Sequence, residues 1–298
     1  MKGLFFVLIA CFAWAFDTLI RYPLLNQIKP SLIVFIEHLF LTLIFLPFFY
    51  KNYKKLSSVT IGDFFYFLIL GGLGSALSTL AFTKAFTYIN PSIVIILQKF
   101  QPLIAVVLAR ILLKESLNKI FIFWALVCVL GVLLIGHQDI TNVYSLALSS
   151  KINFNSQTMI GYGLTFIAVF GWAASTVIGK ILDRRGYKVK ELMGGRFLIG
   201  FLFLTPIFIS NGLSLPTVPV IWSKILLMVL ISGLFGMYFY YKGLRLLSAR
   251  VCTLAELFFP LCAIGVNWLF LGITLDIYQI IGASILIVSS TLIQLNRY

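Results

Sequence analysis

Phe12-Ala13-Trp14-Ala15 returns as Phe170-Gly171-Trp172-Ala173, and Thr18 returns as Thr176, 158 residues further along the chain. The same offset sets Lys84 on Lys242, Pro102-Leu103 on Pro260-Leu261, Leu113 on Leu271, Leu117 on Leu275, Ala125 on Ala283 and Leu134-Ile135 on Leu292-Ile293. Pro47 meets Pro206 one residue out of register, as one inserted loop residue would produce. Identity is thin at any one point, but a single offset holding across nearly the whole chain marks an internal duplication.

Hydrophobic residues make up 61% of the chain and charged residues 11%, against roughly 25% charged in soluble domains. Such a chain cannot clothe a water-facing surface, so it reads as an integral membrane protein in a lipid bilayer. Its apolar runs are too long and continuous for the alternating strands of an outer-membrane barrel. The net charge of +14 sits in short clusters between apolar runs, the pattern of cytoplasmic loops rather than of a nucleic-acid surface. Cys11, Cys128, Cys252 and Cys262 all lie inside apolar runs without metal or disulfide spacing. The first residues imitate a signal peptide or a lipoprotein box, but Phe12 to Ala15 has an internal partner at 170–173, so a retained first span is expected.

A hydrocarbon core of about 30 Å takes about 20 apolar residues per helix. Ten spans follow, at 3–20, 31–50, 63–86, 91–113, 118–136, 158–180, 190–210, 222–242, 250–271 and 275–295. Lys51, Lys54 and Lys55, Lys114 and Lys119, the run from Lys180 to Lys190, and Lys242, Arg245 and Arg250 fall on one side. Arg21, Lys29, Lys84, Lys151 and Lys224 fall on the other. This bias predicts cytoplasmic termini. Lys, Ile and Phe richness adds a bacterial inner-membrane expectation. Five spans per copy is odd, so the second copy enters from the opposite side. The expected fold is an all-α integral membrane protein of ten transmembrane helices in two inverted five-helix repeats, 1–137 and 158–298, with an external linker at 138–157. Inverted repeats are a recurrent construction of secondary transporters, with the substrate site near the midplane.

The chain resembles the EamA-type carriers of the drug/metabolite transporter superfamily over its whole length. The resemblance rests on the two Trp-Ala elements, on Ala85, Tyr88 and Pro91, on Gln101-Pro102-Leu103, and on Leu112-Leu113-Lys114-Glu115-Ser116-Leu117. Lys114 and Ser116 replace residues the family usually carries there, and the second copy closes as Leu271-Gly272-Ile273-Thr274-Leu275, without the Glu. Family members tend to carry an Arg partway into spans 2 and 7; Arg196 fits, but span 2 has Glu37. The resemblance implies alternating-access transport of a small organic metabolite, often an amino acid or its analogue.

Ionisable residues inside spans normally face a cavity or a partner. Asp17, Glu37, His38, Lys99, Arg196 and Glu256 are those here. In the repeat Glu37 matches Arg196 and Gln98 matches Glu256. A pairing of Glu37 with Lys99 and of Arg196 with Glu256 is therefore expected, as locks or as alternating gates; snorkelling of each charge to its interface is the alternative. Asp17 and Glu37 are candidates for coupling a proton, with plain solvation of Asp17 near a helix end as the competing reading. His38 is either a packed, hydrogen-bonded residue or a proton relay. Trp14 and Trp172 lie away from the interfacial belt and either wall a cavity or fill the core. Ser75, Ser78 and Thr79, Gln98 and Gln101, and Tyr238, Tyr240 and Tyr241 offer hydrogen-bonding groups to a cavity, though serines equally permit close packing. Pro102 and Pro260 each free a backbone carbonyl, for substrate or for a kink.

No phosphate loop, metal-spaced Cys/His set or nucleophile elbow is present, and no cofactor or metal is expected. The leading reading is a secondary active carrier of a small polar metabolite, proton- or exchange-coupled, as monomer or homodimer. A receptor, an intramembrane enzyme and a passive channel are the alternatives.

Overall fold

The computed structural model describes residues 2–51, 59–88, 101–114, 119–135, 156–210, 215–256 and 277–295, with isolated positions between them. Its helices are α1 (Lys2–Leu24), α2 (Pro30–Lys51), α3 (Ile61–Ala85), α4 (Gln101–Leu113), α5 (Lys119–Ile135), α6 (Ser156–Arg184), α7 (Val189–Ser210), α8 (Pro219–Leu246), α9 (Ala249–Ala255) and α10 (Ile277–Leu295). No strand occurs among the described residues. Six helices there are long and apolar enough to cross a membrane: α1, α2, α3, α6, α7 and α8. The expected linker falls almost wholly outside the described residues, as do most of the expected fourth span before Gln101 and most of the ninth after Phe259.

The helix ends follow local chemistry. The Thr60 side chain accepts from the Asp63 N–H and starts α3, and the Ser248 hydroxyl does the same for α9 from Val251. Gly186, at φ +92°, ends α6; the Tyr187 N–H reaches back to the Leu182 carbonyl, a turn that needs a left-handed residue. Gly186→Ala should cost about 1–2 kcal/mol from this conformation alone, read as a small drop in melting temperature with transport retained. A parent-like melting temperature would show that the turn is not fixed by this residue.

Helices pack mainly across the chain's midpoint. α1 lies on α8, α2 on α7, α3 on α6, and α5 on α10. Phe35 of α2 stacks on Phe208 of α7, with centroids 3.9 Å apart and planes at 9°. Cys128 and Ser289 join α5 to α10 at 3.1 Å. α3 and α8 each contain a π-helical stretch, Leu68–Leu77 and Val229–Gly236. Such wide turns are rare and tend to occur at functional sites. At the first, Gly71 and Gly74 bring α3 against backbone and short side chains: a Cβ on Gly71 would sit 2.6 Å from the Arg196 carbonyl, and one on Gly74 would collide with Ser175.

One end of the bundle is tied by two carboxylates. Asp63 holds Arg185 at 2.5 Å and accepts from the Tyr187 hydroxyl at 3.0 Å. Asp183 holds Lys180 at 3.2 Å and Arg245 at 3.0 Å. Burial, and then the bond to Asp63, pushes the Tyr187 phenol up to about 12. Arg185 and Arg245 are about half exposed, so water and salt screen both pairs and they add little to stability.

Candidate functional site

A cavity of about 230 Å³ opens where α1, α2, α3, α6, α7 and α8 meet the start of α4 and the end of α9. Its walls are aromatic. Trp14 packs on Tyr240 with centroids 5.5 Å apart, and Trp172 packs on Phe82 at 4.9 Å. These pairs match at the 158-residue offset, and each joins helices from opposite halves of the chain. Phe197 and Phe259 complete the apolar lining.

Two buried guanidiniums organise the polar side. Arg21 sits one turn after Asp17 on α1 and forks onto two carboxylates. Its Nε donates to Asp17 Oδ2 at 2.7 Å, and its Nη2 and Nη1 donate to Glu37 Oε1 and Oε2 at 2.7 and 3.0 Å. Ser232, in the π stretch of α8, donates to Asp17 Oδ1 at 2.7 Å. Asp17, Arg21 and Glu37 are 7%, 8% and 5% exposed, so these are charge-assisted bonds largely shielded from water.

Arg196 is held by neutral groups: Ser175 Oγ at 2.6 Å, the Tyr241 hydroxyl at 3.3 Å and the Gly74 carbonyl at 2.8 Å, while its Nε has no partner. The offset that maps Asp17 onto Ser175 also maps Gly74 onto Ser232. Both clusters are therefore built at the same places in the duplication with different chemistry.

Glu256 ends α9, four residues before Pro260, whose missing N–H leaves the Glu256 carbonyl without its helical donor. The Phe259 N–H and the Cys11 thiol approach that carbonyl instead, at 2.9 and 3.9 Å. Gln101 Nε2 donates to Glu256 Oε2 at 2.8 Å. The Tyr240 hydroxyl, bonded to Thr176 at 2.7 Å, neighbours the carboxylate, and Oε1 is left without a hydrogen bond. His38 Nδ1 meets the Val34 carbonyl at 2.8 Å and so carries a proton, since a carbonyl only accepts. In the neutral ring, Ser75 then donates to Nε2 at 2.9 Å.

Trp14, Asp17, Glu37, His38, Ser75, Thr79, Gln98, Gln101, Trp172, Arg196 and Glu256 thus line one cavity. Three others do not. Ser78 turns onto the Leu73 carbonyl at 2.7 Å, Tyr241 is buried beneath Arg196, and Tyr238 lines a separate hollow under the Lys242 ammonium. Lys99 lies outside the described residues.

The expected charge pairs need correction. Glu37 takes Arg21, because α1 runs on to Leu24 and buries an arginine expected in a loop. Arg196 makes no hydrogen bond to Glu256; its Nη groups are taken by α3, α6 and α8. Arg21, Ser175, Thr176 and Ser232 were missed. Asp17 and Arg21 stand at the i,i+4 spacing of a helical ion pair, a signal that was in the sequence.

A solved structure covers 99% of this chain and 97% of its own, with TM-score 0.75 at 13% identity, a likeness of fold alone. The riboflavin transporter ImpX of Fusobacterium nucleatum subsp. nucleatum is 30% identical over 97% of this chain and 96% of that protein. The uncharacterized transporters YyaM and YetK of Bacillus subtilis are 23% and 25% identical, each over 78% of this chain and over 75% and 69% of those proteins. The EamA-like transporter family matches twice, at residues 1–136 and 159–295. The chain belongs to the EamA-like transporter family and is a multi-pass membrane transporter.

Proposed function

We propose that the protein is a secondary carrier that moves a flavin, riboflavin or a close analogue, by alternating access of two inverted five-helix repeats around the central cavity. The observation that carries this reading is the cavity itself. Its lining holds two tryptophans, each packed on an aromatic residue of the opposite half. Flat aromatic faces suit a planar heteroaromatic ring, since offset stacking adds to the burial of area. The polar residues between them suit a hydroxylated chain. The substrate itself comes from a relative 30% identical along its whole length, and it takes the place of the amino acids expected from family resemblance.

Ten spans in two repeats are supported by the two family matches and by helix packing across the midpoint. An inner membrane with cytoplasmic termini rests on the distribution of basic residues. Without a nucleotide-binding motif, transport runs on a gradient of substrate or of a coupling ion, with the Asp17, Arg21 and Glu37 cluster as the site for a proton.

Proteoliposomes loaded with unlabelled riboflavin should take up labelled riboflavin faster than empty ones. A channel shows no such trans-stimulation, and uptake that ignores the trans load would exclude a carrier. The cavity presents three carboxylates, Asp17, Glu37 and Glu256, against two guanidiniums. A phosphorylated flavin adds about −1.5 to −2 charges and should compete at least about tenfold more weakly than riboflavin, a step of 1.4 kcal/mol. Equal competition would mean that these charges do not screen the substrate.

A further inference from the structure

We infer that the Glu256 carboxylate, steered by Gln101, is the specificity-determining group of the cavity and accepts the ring N–H of an imide edge, an N–H flanked by two carbonyls. This rests on the flavin reading and deepens it, since the pyrimidine end of an isoalloxazine ring is such an edge.

A carboxylate offers about four lone-pair positions. On Glu256, Gln101 donates to Oε2 and the Tyr240 hydroxyl lies beside the carboxylate, while Oε1 holds no hydrogen bond. A buried acceptor left unmade is costly, so such atoms in a native protein call for an explanation. A ligand is one such explanation here, because the carboxylate borders the cavity that Trp14, Trp172 and Phe259 also line.

The position is also built. Glu256 is the C-cap residue of α9, and its carbonyl accepts from the Phe259 N–H. The side chain therefore projects from a hydrogen-bonded helix end. The last torsion of a glutamate is broad, so the carboxylate turns its free lone pairs onto a ligand while Gln101 keeps its hold. Across the same cavity, Arg196 has a guanidinium fixed at both Nη atoms and an unpaired Nε–H. The cavity lining thus includes an acceptor on Glu256 and a donor on Arg196 that no protein group satisfies.

Gln98 holds the matching place in the other half, four residues before Pro102. The duplication thus carries an amide at one place and a carboxylate at its counterpart.

The test uses the purified full-length protein and flavin fluorescence quenching, with riboflavin and 3-methylriboflavin as probes. Methylation replaces the N–H with a methyl group, and the Glu256→Ala variant separates the lost hydrogen bond from the added bulk. Loss of the hydrogen bond, with a buried acceptor left unpaired, supports a loss of about tenfold or more in affinity for the methylated probe. That preference should disappear in Glu256→Ala and shrink in Glu256→Gln. Equal binding of the two probes to the unaltered protein overturns the inference and leaves the flavin reading standing, as does a preference that survives in Glu256→Ala. If riboflavin itself does not bind, both readings fall. If Glu256→Ala fails to fold, the milder Glu256→Gln carries the test, and a preference left undiminished there overturns the inference.

Discussion

Arg21→Ala should destabilise the protein by about 3–5 kcal/mol, the cost of leaving buried carboxylates without their cation. Asp17 and Glu37 are both nearly out of water, and the Arg21 fork is the cation between them. Removing it leaves two like charges facing each other across the seam of α1 and α2. The four cysteines are buried, so a thiol-reactive dye follows unfolding in detergent without added label. A melting temperature within about a degree of the parent would show that the fork does not hold these helices. The companion variant Asp17→Asn, Arg21→Met, Glu37→Gln removes all three charges together. Well-packed neutral replacements of a buried ion cluster are often near neutral in stability, so it should melt close to the parent while losing any proton coupling the cluster provides.

Gly74→Ala should have the next largest effect, about 1–3 kcal/mol, because it overpacks a seam that has no room. The new Cβ runs into Ser175 and lies 3.1 Å from the Gly171 carbonyl. It also displaces the α3 backbone whose Gly74 carbonyl takes the Arg196 Nη2 bond. Ser175→Gly removes the colliding atom but also an acceptor of Arg196. The double variant should therefore be less destabilised than the sum of the two single variants, as contacting residues usually show. Strict additivity would mean that the two residues do not meet.

Much of the site was legible because polar residues are scarce in an apolar chain. Asp17, Glu37, His38, Arg196 and Glu256 stood out as costly inside spans, and all five line the cavity. The pairing among them was not legible. Matching Glu37 with Lys99 required knowing which helix faces lie together, which depends on packing across the midpoint rather than on spacing along the chain. Arg21 was misplaced because the end of a span is the least certain part of a hydropathy reading. Four more residues of helix turn a loop cation into a buried one. Ser175 and Ser232 carry no charge and gave no signal of their own; the offset that links them to Asp17 and Gly74 gains meaning only once those partners are known. The aromatic pairs were half visible. Trp14 and Trp172 stood out by depth, but Phe82 is one of 29 phenylalanines in the chain.

The two forks also say something about rest. One clasps carboxylates with a full charge on each side; the other clasps hydroxyls and a carbonyl. In a carrier whose halves take turns opening, latches of unequal strength weight the two orientations unequally, and each 1.4 kcal/mol of difference shifts the idle population tenfold. A duplicated protein with identical latches would idle equally toward both sides of the membrane. This one has diverged where the latches sit, so under the proposed alternating access its empty form would favour one direction.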